Sequence, residues 1–200
     1  MLEVCALSFD YSEQSILTEI QFSLNNGQLL HLHGGNGTGK TTLLRLLAGL
    51  LRPTKGMIYW RNQPIYDQLR VYQHQLCYVG HKMGISTQLT VAENCFFDTK
   101  KSNSPMALPA LLDVFGLQAL ANIKCYQLSA GQKKRVGLMR LVISQAQLWL
   151  LDEPLTALDE SSIALFSQCA KTHLNQNGLI IMTSHQPLPA CFGTYQDYVL

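Results

Sequence analysis

No two of the six cysteines form a C-x-x-C pair, and none belongs to a compact Cys/His cluster. Cys5, Cys77, Cys95, Cys125, Cys169 and Cys191 are scattered singly. That pattern argues against a zinc site and favours reduced thiols used as packing residues. Charge is sparse too: 14% of the 200 residues are Asp, Glu, Lys or Arg, and the formal net charge is +2. So small a balance points to neither nucleic acid nor an anionic surface as a partner. Lys133-Lys134-Arg135 is the one candidate basic patch. The opening Met1-Leu2-Glu3-Val4-Cys5 lacks the basic start and apolar segment of a secretory leader. No apolar run approaches the length of a membrane span. The polypeptide is therefore expected on the cytosolic side, held at a membrane only through a partner. The apolar fraction of 47% is that of an ordinary globular chain, expected as one domain over residues 1–200.

Against these absences stands His33-Gly34-Gly35-Asn36-Gly37-Thr38-Gly39-Lys40-Thr41-Thr42, whose middle satisfies G-x-x-x-x-G-K-[ST]. It follows the apolar run Leu29-Leu30-His31-Leu32 and precedes the helix-like Leu43 to Ala48. A strand, a glycine loop and a helix in that order are the setting this motif requires. Successive loop amides point into one concavity, and the helix behind adds its positive end. Lys40 can reach the β/γ-phosphates of a nucleotide, and the Thr41 hydroxyl can join a Mg²⁺ shell. A plain glycine turn ahead of a helix would need none of this, so nucleotide binding is the preferred reading.

Around the loop the pattern alternates between strand and helix. Leu2 to Phe9, Ser15 to Leu24 and Gln28 to His33 read as strands, with Asn25-Asn26-Gly27 as a turn. A helix is expected from Lys40 to Leu50, stopped by Pro53. Met57 to Trp60 reads as a strand, Arg61 to Pro64 as a turn, and Gln75 to Gly80 as a buried strand. Val91 to Phe97 reads as a short helix, and leucine spacing resumes from Met106 to Leu120. Asp98 to Pro105 is expected to be the least ordered part of this excursion. Helices from Ser129 to Ser144 and Asp159 to Leu174, with strands Gln147 to Leu151 and Leu179 to Thr183, complete the pattern. The fold class is α/β: a P-loop core with N-terminal antiparallel strands and an inserted helical subdomain spanning about 91–145.

Two further segments carry chemistry. Leu148-Trp149-Leu150-Leu151-Asp152-Glu153 is an apolar strand ending in two carboxylates. Asp152 suits Mg²⁺ through water, because a hard cation takes oxygen ligands. Glu153 can turn towards a γ-phosphate and accept a proton from the attacking water; acidic strand ends also occur without function. In Leu128-Ser129-Ala130-Gly131-Gln132, the Ser129 hydroxyl and the Ala130 and Gly131 amides suit a phosphate. Ser129 can equally serve as a helix N-cap.

Together these segments resemble the ATP-binding-cassette nucleotide-binding subunits, over nearly the whole chain. Gly34 to Thr41 resembles their Walker A loop, Leu148 to Glu153 their Walker B strand with the catalytic glutamate, and Leu128 to Gln132 their signature. Ala157-Leu158-Asp159 resembles the D-loop, and His185 in Thr183-Ser184-His185-Gln186 the switch histidine. Tyr11 stands where the family carries its adenine-stacking aromatic, with Phe9 close by. Ala130 replaces a usual glycine, and His81 replaces the usual Q-loop glutamine, judged from its distance to Thr90-Val91-Ala92-Glu93-Asn94. With Tyr78-Val79-Gly80-His81 and Thr183 to Leu188, these phrases resemble the bacterial cytochrome c biogenesis ATP-binding export subunits, the haem exporter ATPases.

The resemblance implies catalytic roles for Glu153, His185 and His81, the last touching the water, the metal or neither. It implies ATP on Tyr11, Gly34, Asn36, Gly37, Thr38, Gly39, Lys40, Thr41 and Thr42, with Mg²⁺ on Thr41 and Asp152. Ser129, Ala130, Gly131 and Gln132 would come from a second copy in a head-to-tail homodimer, with Asp159 communicating between sites. It also implies a membrane permease partner, a peripheral place on the cytoplasmic face of the bacterial inner membrane, and haem delivery or export. An ABC ATPase serving another cargo, or a regulatory subunit with little turnover, shares much of the pattern. A soluble translation or repair cassette would need a second cassette or a long insertion.

Overall fold

The computed structural model describes residues 1–12, 14–80, 84–99 and 108–200. β1 (Leu2–Tyr11) and β2 (Gln14–Leu24) pair antiparallel, with Leu2 opposite Leu24 and Tyr11 opposite Gln14. Leu2, Val4, Leu7 and Phe9 of β1 are buried, an alternation broken between Val4 and Leu7 at the first of three register shifts against β2. Ala6, at φ 44°, supplies the extra residue of that bulge.

β3 (Leu29–His33) leads through the glycine loop into α1 (Lys40–Leu47). This helix ends earlier than Leu50, and Pro53 is not what stops it. Gly49 adopts φ 67°, its N–H bonds Leu46 O, and Leu50 N bonds Arg45 O. That paired arrangement is a glycine C-cap, which closes the last helical carbonyls before the proline is reached. β4 (Lys55–Trp60) and β5 (Gln63–Pro64) form a hairpin where only a turn was expected. Arg61 and Asn62, both at positive φ, make the two-residue turn. The five-residue α2 (Leu69–Gln73) also lies outside the expectations, being too short to show a period.

β6 (Leu76–Val79) precedes the helical excursion, which holds α3 (Val91–Thr99), α4 (Leu108–Val114) and α5 (Ala130–Ser144). The helix expected from Met106 to Leu120 is shorter: Gly116 at φ 61° breaks it, and Gln118–Leu120 is a separate 3₁₀ turn. Of the Asp98 to Pro105 stretch, Asp98 and Thr99 close α3; the rest lies outside the described residues. β7 (Leu148–Leu151), α6 (Glu160–Asn175), β8 (Leu179–Thr183) and β9 (Gln196–Val199) complete the chain.

Two sheets result: β2-β1-β4-β5, antiparallel, and β6-β7-β8-β3-β9, parallel. Every residue of β7 and β8 is buried, as a parallel sheet covered on both faces requires. Alternate residues divide between two cores. Leu148, Leu150, Leu179 and Ile181 join α1 and the N-terminal strands. Trp149, Leu151, Ile180 and Met182 join α5 and α6. Because β3, β7 and β8 run parallel, the segments that follow them emerge at one edge of the sheet. Ligands bind outside such carboxyl ends in open α/β sheets.

Candidate functional site

The glycine loop is built to a shape that side chains cannot share. A Cβ on Gly34 would lie 2.7 Å from Leu200 O and 2.9 Å from Thr38 Oγ1. Gly39, at φ 97°, caps α1, and a Cβ there would meet Leu17 Cδ2 at 2.8 Å. Gly35, Asn36 and Gly37 are exposed at the mouth. Leu43 N bonds Gly39 O at 2.8 Å. The Lys40, Thr41 and Thr42 amides thus stand ahead of the first intrahelical bond, as the open donors of a helix start. Lys40 is buried, and its Nζ donates to Gly34 O and Gly35 O, each at 2.7 Å. The ammonium is folded back over its own loop, among donors suited to phosphate oxygens.

At the end of β7, the buried Asp152 carboxylate accepts from two hydroxyls. Thr41 Oγ1 donates to Oδ2 at 2.8 Å, and Thr183 Oγ1 donates to Oδ1 at 3.0 Å. Thr41 comes from α1 and Thr183 from β8, so three segments converge on one carboxylate. Thr41 and Asp152 offer the hard oxygens that Mg²⁺ takes, alongside phosphate and water; the donor set therefore fits that ion.

Glu153 is re-aimed by its backbone. Its φ of 52° is left-handed, which costs a non-glycine residue about 1–2 kcal/mol. Its N–H donates to Thr183 Oγ1 at 2.8 Å, and its carbonyl accepts from Lys134 Nζ. Strand alternation no longer governs the side chain. The Glu153 Oε1 lies 2.7 Å from His185 Nε2, and Thr156 Oγ1 lies 3.5 Å from Oε2. Acid and imidazole already meet across the turns that follow β7 and β8.

The Leu128 to Gln132 segment is arranged differently. Ser129 caps α5: its Oγ accepts from Gln132 N at 3.2 Å, while Gln132 Oε1 accepts from Ser129 N at 2.9 Å. This reciprocal capping box occupies the Gln132 amide and leaves the Ser129 hydroxyl proton free to donate. Ser129 and Ala130 are exposed, and Gly131 and Gln132 half-buried. Asp159 caps α6, accepting from Ser162 N at 2.8 Å and Ser161 Oγ at 3.1 Å. The Ser162 hydrogen bonds hold its carboxyl below the usual range.

Tyr11 is 46% exposed and meets buried Phe9 edge-on, with centroids 4.8 Å apart. Of the two aromatics, Tyr11 is the exposed one. His81 lies outside the described residues. Two groups at the site escape sequence reasoning. Thr183 reads only as the end of an apolar strand, and Lys134 only as the middle of a basic run. Burial pulls the Lys134 amine below its usual range, with Glu153 and Asp152 opposing. Burial and the nearby Asp152 likewise raise the Tyr78 hydroxyl. Among the described residues no group of three or more His, Cys, Asp or Glu is placed to hold a metal. No helix among them is long and apolar enough to cross a membrane.

Residues 17–156 match the ABC transporter family. The chain is 48% identical over 200 residues, all of both chains, to the cytochrome c biogenesis ATP-binding export protein CcmA of Legionella pneumophila (strain Lens). A solved ATP-binding subunit of an ABC transporter superposes with a TM-score of 0.84 at 26% identity, covering 92% of this chain and 79% of that one. A solved dimeric bacterial ABC transporter cassette superposes at 0.82 with 23% identity, covering 98% and 94%, and attests the fold.

Proposed function

The chain belongs to the ABC transporter family, among the cytochrome c biogenesis ATP-binding export proteins, and from that premise we propose a composite ATP site between two copies. It is an ATP-hydrolysing subunit of the cytochrome c maturation class that couples nucleotide cycling to transport. The observation that carries the site assignment is the convergence on Asp152 and Glu153. Hydroxyls from α1 and β8 grip the first carboxylate, and an imidazole from the loop after β8 meets the second.

In the proposed mechanism Lys40 exchanges its loop carbonyls for β- and γ-phosphate oxygens, and the α1 amides join it. Thr41 and Asp152 would hold Mg²⁺, which when bound would offset phosphate charge. Glu153 leaves His185 to take the proton of a water that attacks the γ-phosphorus as the bond to ADP breaks. His185, released, donates to the γ-phosphate and stabilises charge there. Tyr11 stacks on adenine without reading its edge. Ser129, Ala130 and Gly131 of a second copy close the site over the γ-phosphate; a solved cassette of the same fold is dimeric. Once the phosphate leaves, the two positively lined surfaces lose what joined them.

The chain would work peripherally at the cytoplasmic face of the inner membrane, on a permease that supplies the crossing. The described residues contain no spanning helix, and the Legionella relative is named for export. Haem delivery or export, the task that the resemblance to the cytochrome c biogenesis export proteins implies, is the proposed task. Glu153→Gln in the assembled complex tests the chemistry. ATP should bind with near-unchanged affinity while hydrolysis falls about 10²–10⁴-fold, the usual weight of a general base. Turnover within a few-fold of the parent would move the base elsewhere.

A further inference from the structure

Lys134 sits in the second turn of α5, between two half-exposed basic neighbours, and is itself only 8% exposed. Burying an ammonium is unfavourable unless it finds strong acceptors. An apolar side chain of similar length would pack there without that cost. The acceptor it finds is the main-chain oxygen of Glu153. The other end of that residue is bonded to Thr183, so the peptide on each side of the left-handed turn is gripped.

A second contact lies one helical turn away on the same face of α5. Residues three apart on a helix are neighbours, and Gly131 precedes Lys134 by three. A Cβ on Gly131 would stand 3.1 Å from Ala157 O. Ala157, at φ 62°, is the other left-handed residue of the 153–157 segment. The first two turns of α5 thus bear on both strained positions of the segment that follows β7, within one chain.

We propose that Lys134 is a positioning residue for hydrolysis. It holds the Glu153 peptide in its left-handed turn and so aims the carboxylate at His185 and the phosphate side of the site. Because Lys134 rides on the helix that begins with the signature, any shift of that helix changes the aim of the base in the same chain. The inference rests on the reading of Glu153 as the base.

Lys134→Met removes the ammonium and keeps the stem, while Lys134→Arg restores a cationic donor. In the assembled complex the Met variant should lose about ten- to a hundredfold in kcat, the scale of a reacting group displaced by about an ångström. The KM for ATP should stay within about twofold, since the phosphate loop is untouched, and the Arg variant should recover most of the rate. Hydrogen exchange of the chain without nucleotide supplies a readout independent of turnover. Amides from 153 to 158 should exchange faster in the Met variant, with β8 and α6 unchanged, and return to normal with Arg. Loosening of that segment with normal kcat would overturn the positioning role, as would a matching rise in KM. Normal exchange in the Met variant would overturn it too. Lys134→Gln covers a folding failure of the Met variant; if both unfold, Lys134 is a folding residue and the proposal fails. Normal turnover by Glu153→Gln with a slow Lys134→Met would instead remove the base assignment and leave the turn assignment standing.

Discussion

The two ends of the phosphate site differ in how they are held. Around Asp152 the groups are buried or half-buried and interlocked: Thr41, Thr183, Glu153 and Lys134 come from four segments and grip one another. At the start of α5 the polar groups are on the surface, and Ser129 and Gln132 satisfy each other within four residues. Buried polar networks are expensive unless complete, and when complete they fix one arrangement. An exposed capping box is a local device that fixes only its own helix end. The contrast suggests a division of labour. The proposed metal and water side is set by folding, whereas the start of α5 presents its first amides and the Ser129 hydroxyl proton at the surface, as the proposed site between two copies requires.

The largest effect is expected at the loop. Lys40→Ala removes the side-chain ammonium folded over the glycine loop. ATP affinity should fall by one to two orders of magnitude, from the loss of a charge-assisted bond of about 1.5–3 kcal/mol. The fold should remain, and calorimetric titration with circular dichroism would read both. Unchanged affinity would sink the anchoring role. The contrast itself is tested by a pair of smaller changes. Thr183→Val deletes the hydroxyl between Asp152 and the Glu153 amide, and should lower unfolding stability by about 2–3 kcal/mol. Ser129→Ala loses an exposed cap and should cost about 1 kcal/mol. Denaturant titration of both variants decides: equal losses, or the reverse order, would erase the distinction between the buried and exposed ends.

Which parts of this were legible beforehand follows the same physics. The glycine loop, the strand before Asp152 and the order of the main elements declare themselves through composition and period. So do α5 and α6, long enough to repeat. β9 does not, because Gln196-Asp197-Tyr198-Val199 lacks an apolar pattern. Its place comes from pairing with β3, a His31 Nδ1–Asp197 Oδ1 contact of 2.7 Å, and Leu200 N bonded to His33 O. None of these is local in sequence. Glu153 was expected to leave the strand pattern; that it does so through a left-handed backbone held by Thr183 and Lys134 required the fold. Lys134 was hidden by its neighbours, since a Lys-Lys-Arg run reads as solvated charge whichever member turns inward. Pro53 is the conspicuous stop after α1, yet Gly49 satisfies the last carbonyls four residues sooner.

In the proposed composite site the signature of one copy completes the phosphate site of another. Its most direct measurement is complementation in the assembled complex, using a Ser129→Arg chain and a Lys40→Ala chain that are each inactive alone. Mixed, they form one site with an intact loop and its Glu153 facing an intact Ser129, beside one site damaged on both sides. Recovery of ATP hydrolysis towards half the parental rate, read on the isolated mixed dimers, is the expected result. Mixed dimers demonstrated by differential tagging, with no hydrolysis above either parent variant, would contradict the composite site.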